Sequence, residues 1–315
     1  TPPVRFGIAV GAFLGGVPGR DELTELARKA EAVGFDSVQV GDHIQWHAPI
    51  LEATTLMATF AAVTERVRIA SDVIILPLRD PVLMAKTIAS LDVLSGGRVI
   101  FGIGVGGDHP LEYAAMRIPL SERGSRANES LEIIKGLWAN ERFSYKGRHF
   151  SFRDVEISPR PLQPSIPIWV GGGSEGALRR AARYGNGWIA AFSSVRKFGR
   201  LSADLRGFLQ DEGRKAEGFT LGMFLFANVD ADAARARETA VRYVERVYRL
   251  DGARIVERFG AVGPVEACAE RALAYVEAGT DYIVLGPVSD HRDWPRQLDG
   301  YGEVIERVRR QVGGQ

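Results

Sequence analysis

Short runs of β-branched and apolar residues alternate along the chain with longer stretches whose apolar positions recur at helical spacing, the pattern of repeated βα units on a parallel sheet. Residues 6–10 read as a first strand. Over residues 21–33, Leu23, Leu26, Ala27, Ala30 and Val33 share one helical face, and Gly34 ends the helix. A second strand over residues 37–40, a helix over 52–64 and a third strand over 67–75 follow, and Pro81 stands where the next helix can begin, ahead of residues 83–94. Residues 99–103 form the fourth strand, and a helix over 122–138 comes next. The segment 143–157, with Tyr145, Gly147, Phe150 and Phe152, reads as a hairpin excursion before strand five. Residues 166–170, 187–191 and 219–227 supply strands five to seven, interleaved with helices over 175–184 and 196–213. Strand eight spans residues 282–285, after two further helices. Eight βα units closing on themselves predict an α/β protein of (β/α)8 barrel type, with insertions after strands four and seven and one domain over residues 1–315. A doubly wound sheet is the alternative, but the glycines between Gly11 and Gly16 lack the G-x-G-x-x-G register of a dinucleotide turn.

Composition narrows the partners. With 315 residues, 45% hydrophobic and 25% charged, the chain can bury a sizeable core, and its mean hydropathy is −0.06. Forty basic residues against 39 acidic ones leave a net charge of +1, so no chain-wide field favours a nucleic acid or an anionic membrane. The chain begins Thr1-Pro2-Pro3 and runs into an apolar strand, with no basic-then-apolar leader and no run near the ~18 apolar residues of a membrane span, so a cytoplasmic protein is expected. Cys268, the single cysteine, can form no internal disulfide or multi-thiolate site and reads as a buried structural thiol.

In a closed α/β barrel the reactive face lies at the carboxyl ends of the strands. Strand two ends in Gly41-Asp42-His43, followed by Trp46 and His47; a histidine beside a carboxylate can exchange protons near neutral pH, and an indole can exclude water. Loop or core histidines are the competing reading. Strand three carries Asp72 next to Val73, and a carboxylate within an apolar strand either pairs with an arginine or faces a solvated cleft. Strand four opens into Gly102, Gly104, Gly106 and Gly107, spacing that lets the backbone approach a flat ligand or simply makes room inside a barrel. Strand five ends in Gly171-Gly172-Gly173-Ser174 before a helix, where free N–H groups suit a phosphate and Ser174 suits an N-cap. No metal site is expected: His43 and His47 are four apart but lack the glutamate of H-E-x-x-H and share a loop with Pro49.

Taken in order, several segments resemble the bacterial luciferase-like flavin and deazaflavin oxidoreductase superfamily, in particular its F420-dependent branch. They include Glu31-Ala32-Val33-Gly34-Phe35-Asp36-Ser37, Gly41-Asp42-His43, Pro77-Leu78-Arg79-Asp80-Pro81, Leu91-Asp92-Val93-Leu94-Ser95-Gly96-Gly97-Arg98 and Pro167-Ile168-Trp169-Val170-Gly171-Gly172. The resemblance implies a TIM barrel with a cofactor ring at the strand ends and a non-prolyl cis peptide at or beside Asp72-Val73. It places the ring against Asp72, Val73, Gly104 and Gly106, and its phosphate near Gly171, Gly172, Gly173 and Ser174. It also implies that Asp42 hydrogen-bonds the ring, His43 handles a proton and Trp46 shields the substrate side. The expected function is hydride transfer between F420 and a small-molecule substrate by a homodimer. The runners-up are an FMN-dependent monooxygenase fed by a flavin reductase and a non-catalytic flavin-binding barrel. Gly107 lacks the acid found at this edge in F420-dependent sugar-phosphate dehydrogenases, which disfavours a sugar phosphate; Asp108, His109 and Glu112 are candidates to replace it.

Overall fold

The computed structural model describes residues 4–313; the Thr1-Pro2-Pro3 start lies outside the described residues. The elements run β1 (Arg5–Val10), α1 (Arg20–Ala32), β2 (Ser37–Val40), α2 (Ala53–Val63), β3 (Arg68–Ser71), β4 (Ile74–Ile75), α3 (Pro81–Leu94) and β5 (Val99–Gly104). Then come α4 (Pro110–Ala115), α5 (Arg123–Ala139), β6 (Phe143–Lys146), β7 (Ser151–Val155), β8 (Ile168–Gly171), α6 (Glu175–Tyr184), β9 (Gly187–Ala190) and α7 (Val195–Asp211). The chain continues through β10 (Thr220–Val229), α8 (Ala233–Val247), α9 (Gly252–Phe259), β11 (Gly260–Gly263), α10 (Val265–Glu277), β12 (Tyr282–Pro287) and α11 (Trp294–Gly313).

The parallel order β10-β12-β1-β2-β3-β5-β8-β9 closes on itself because β9 also pairs with β10, giving the eight-stranded barrel. Side-chain alternation sets what fills it. Ile8, Val38, Ile69, Phe101, Val170 and Leu225 point outward and are buried under the helices, whereas Ala9, Ala70, Ile100, Trp169, Tyr282 and Val284 pack together along the axis. Caps start the helices where the pattern predicts: Asp80 accepts from the amides of Val82 and Leu83 with Pro81 in the first turn, and Ser174 and Ser194 cap α6 and α7.

The structure changes three expectations. The third strand is not continuous over 67–75 but breaks into β3 and β4 at a cis Asp72-Val73 bond, where the resemblance places one. The seventh strand extends to Val229, because β11 pairs with residues 226–229 beyond the end of the barrel. Three helices, not two, separate the seventh strand from the eighth. The hairpin β6–β7 is antiparallel and stands apart from the barrel sheet, as expected. Among the described residues no helix is long and apolar enough to cross a membrane.

Candidate active site

Four strand ends meet on one rim. The Asp72 amide donates to Val40 O at 2.7 Å, which joins the end of β2 to that of β3; Ile75 then registers with Gly104, and Ile103 with Val170. The sequence-selected residues at these ends therefore share one rim of the barrel. Glycines at these ends make room for the Val73 side chain: a Cβ on Gly104 would lie 2.6 Å from Val73 Cγ2, and one on Gly171 would lie 3.1 Å from the same atom. Gly106 and Gly172 adopt φ of +55° and +113°, a region that disfavours any side chain. Gly173 and Ser174 complete the turn into α6, where Ser174 Oγ accepts from Ala177 and leaves the first amides of the helix free of that cap.

Asp42 and His43 are neighbours in sequence but face opposite ways. Asp42 is 4% exposed and turns outward, accepting from Arg79 Nη2 at 2.6 Å and from the Ile75 amide at 3.0 Å. Burial lifts its carboxyl above the usual range, and the Arg79 charge and the Ile75 amide offset only part of that. The arginine pair weighed for Asp72 thus belongs to Asp42. His43 turns inward, its Nδ1 3.1 Å from Glu112 Oε2, with the indole of Trp46 stacked on it at 4.0 Å between ring centres.

Glu112, one of three candidates the sequence offered beyond strand four, is the one that reaches His43. It is 1% exposed, and its other oxygen accepts from the amides of Ile44 at 2.6 Å and Gln45 at 3.2 Å. Burial pushes its carboxyl up, but hydrogen bonding and charge from His43, with those two amides, outweigh it and hold the carboxyl below its ordinary value. An ionised carboxylate only accepts, so His43 Nδ1 carries the proton in the neutral ring, and Nε2 is left as the free nitrogen. The 69-residue separation of this pair hides it from any local motif. Of the other candidates, Asp108 is exposed and His109 is buried against Trp46 and His47. Cys268 is buried, its thiol pushed up to about 12 by desolvation.

One cavity, about 620 Å³, opens at the opposite end of the barrel among Arg5, Arg68, Trp169 and Tyr282. A second, about 420 Å³, lies at the rim of the strand carboxyl ends beside His47, Arg246 and Arg249. The His43–Glu112 pair lies at the same end as the second cavity.

The chain is thus a closed (β/α)8 barrel with a histidine–carboxylate pair at the carboxyl ends of its strands. The chain matches the model of the luciferase-like monooxygenase family over residues 4–254 and belongs to that family of oxidoreductases. The F420-dependent glucose-6-phosphate dehydrogenase of Kineococcus radiotolerans is 34% identical over 236 residues, covering 70% of this chain and 67% of its own. An F420-dependent secondary alcohol dehydrogenase solved with an F420–acetone adduct has a TM-score of 0.83 at 20% identity, covering 97% of this chain and 99% of its own. A monooxygenase from Streptomyces bottropensis reaches 0.85 at 23%, covering 96% and 99%. At these identities the two solved structures bear on the fold.

Proposed function

We propose that the protein is an F420-dependent oxidoreductase acting on a small organic substrate at the mouth of the barrel. The observation that carries this reading is the His43 imidazole, oriented by a buried carboxylate at the rim where the ends of β2, β4, β5 and β8 meet. The name of the Kineococcus relative supports F420 as the cofactor. When bound, F420 supplies two-electron hydride chemistry at C5 of its deazaflavin ring.

The chain's own residues supply binding, orientation and proton handling. The backbone at Asp72 and Val73, with the Val73 side chain seated against Gly104 and Gly171, offers a surface for the ring. Gly171, Gly172, Gly173 and Ser174 present the amino end of α6 to a phosphate. His43 Nε2 takes or returns a proton of the substrate's heteroatom, and Glu112 steadies the positive charge that this places on the ring. Trp46 covers one face of the imidazole and keeps water from it. Asp42 is a positioning residue: through Arg79 and the Ile75 amide it fixes the end of β2 against β4. Dimerisation through α3 fits its outer face, where Leu83 and Leu94 are 65% and 71% exposed.

Parallel titrations test the cofactor. F420 fluorescence is expected to quench at low-micromolar protein; oxygen consumption with reduced FMN and a reductase, without F420 quenching, would favour the monooxygenase instead. Tight binding without turnover across broad substrate panels would favour the non-catalytic barrel. His43→Ala is expected to keep F420 affinity and lose about 10²-fold in turnover. Unchanged turnover removes His43 from the mechanism.

A further inference from the structure

The cavity of about 620 Å³ at the amino end of the barrel takes no part in the chemistry at the mouth, yet its lining is not that of an ordinary gap. Arg5, Arg68 and Tyr282 stand where β1, β3 and β12 begin. Register draws them together: Arg5 pairs with Tyr282, and Ser37, whose Oγ lies 2.8 Å from the Tyr282 hydroxyl, pairs with Arg68. Arg68 is partly buried. Its Nε donates to Arg98 O, and its Nη2 to Val99 O and Gln163 Oε1, each at 3.0 Å, which fixes the plane of the guanidinium. Nη1 has no hydrogen-bond partner among the described residues and is not sealed from solvent. No carboxylate among them pairs with this cation either: Gln163 stands between it and Asp92, donating to Asp92 Oδ1 at 2.6 Å. Arg5 is loosely held, its Nη2 3.4 Å from Thr220 Oγ1 and 3.8 Å from Asp281 Oδ1, with its guanidinium carbon 5.1 Å from the centre of the Tyr282 ring.

The two carboxylates in the lining are already engaged. Glu31 Oε1 accepts from the amides of Arg66 and Val67 at 2.5 and 2.9 Å, and Asp36 Oδ2 accepts from the Phe6 amide at 2.6 Å and from Arg309 Nη2 at 2.7 Å. The inner wall is apolar: the rings of Trp169 and Tyr282 meet edge-on at 4.8 Å and pack with Ile100 along the barrel axis. Open guanidinium edges beside such a wall favour one kind of molecule. A cation meets like charge there, and a neutral amide forms no charge-assisted bond. Inorganic phosphate brings the charge but covers none of the apolar surface. A carboxylate suits the planar fork of an arginine, and an apolar body attached to it displaces water from the rings. We propose that this cavity is a second binding site, separate from the mouth, for a small organic carboxylate with a cyclic apolar body, held by Arg5 and Arg68 at its charge and by Trp169 and Tyr282 at its ring. The proposal stands whichever cofactor the mouth takes.

Calorimetric titration of the purified protein with benzoate, benzamide, benzylamine and inorganic phosphate tests it. Benzoate is expected to bind about tenfold or more tighter than benzamide or phosphate, with benzylamine weakest. Arg68→Met is expected to weaken benzoate about tenfold, and Arg5→Gln, a change at an exposed side chain, about threefold, both with little effect on benzamide. Melting temperature checks that each variant folds; should Arg68→Met not fold, Arg5→Gln alone decides. A crystal soaked in 4-iodobenzoate is expected to show the anomalous signal of iodine in this cavity, with the carboxylate on Arg68 Nη1. The proposal is overturned by benzamide or phosphate binding as tightly as benzoate, by no saturable binding of benzoate, by benzoate affinity unchanged in Arg5→Gln or in folded Arg68→Met, or by iodine at the mouth instead.

Discussion

Glu112→Gln keeps the shape of the side chain and removes its charge, which isolates what the carboxylate does for His43. The glutamine Oε1 can still accept from the amides of Ile44 and Gln45, which hold the native oxygen at 2.6 and 3.2 Å. Its amide nitrogen then faces His43 Nδ1 across 3.1 Å and can only donate. Nδ1 must accept, so the ring proton moves to Nε2 and closes the nitrogen that faces the substrate. A hydrogen bond to a charged group contributes about 1.5–3 kcal/mol. Losing it converts to roughly a 10- to 150-fold fall in kcat, with F420 affinity unchanged. Nitrogen-15 NMR of the imidazoles reads the tautomer directly, without a substrate. Wild type is expected to show His43 protonated at Nδ1, and Glu112→Gln to show it at Nε2. The same tautomer in both proteins refutes the argument.

Other changes probe the scaffold of the site. In Gly104→Ala the new methyl meets Val73 Cγ2 at 2.6 Å; overpacking of this kind costs about 1–3 kcal/mol, so F420 affinity measured by fluorescence falls roughly 5- to 150-fold, and unchanged affinity removes Gly104 from the cradle. Arg79→Ala leaves Asp42 buried without its cation and should lower unfolding free energy in urea by about 3–5 kcal/mol; a loss below about 1 kcal/mol means that water replaces the guanidinium. Asp72 has its carboxyl raised in the fold to about 7, so the native state binds more protons than the unfolded state between about pH 4 and 7, and stability falls over that window as pH rises. Asp72→Asn removes the penalty. The variant should exceed wild type by roughly 1–3 kcal/mol at pH 8 and match its pH trend below pH 4, whereas a gap that is constant with pH contradicts the shift.

The barrel was legible because each βα unit is a local pattern: two-residue alternation, helical spacing, then a cap such as Asp80 or Ser174. Many of the residues that carry the family resemblance turn out to hold the scaffold. Glu31 accepts from the backbone amides of residues 65–67, Asp92 accepts from Gln163, and Arg98 donates to the carbonyls of Ala61, Thr64 and Val67. Such residues join turns at the amino end of the barrel, so they identify the fold while saying little about substrate. What stayed hidden depends on distance in sequence. The partnership of His43 with Glu112, and of Asp42 with Arg79, spans tens of residues and follows from closure of the barrel. The packing of α8 and α9 beside the mouth comes from an insertion whose apolar faces look, in sequence, like those of any other helix.

The central claim is that the opening beside His43 grips a deazaflavin with the imidazole next to its hydride-carrying carbon. A crystal structure of the F420-loaded protein measures this directly. The account predicts His43 Nε2 on the substrate side of the ring, within roughly 3–4 Å of a heteroatom placed for reaction at C5, and the phosphate at the amino end of α6. A ring bound in the cavity at the other end of the barrel, or His43 turned away from C5, contradicts it.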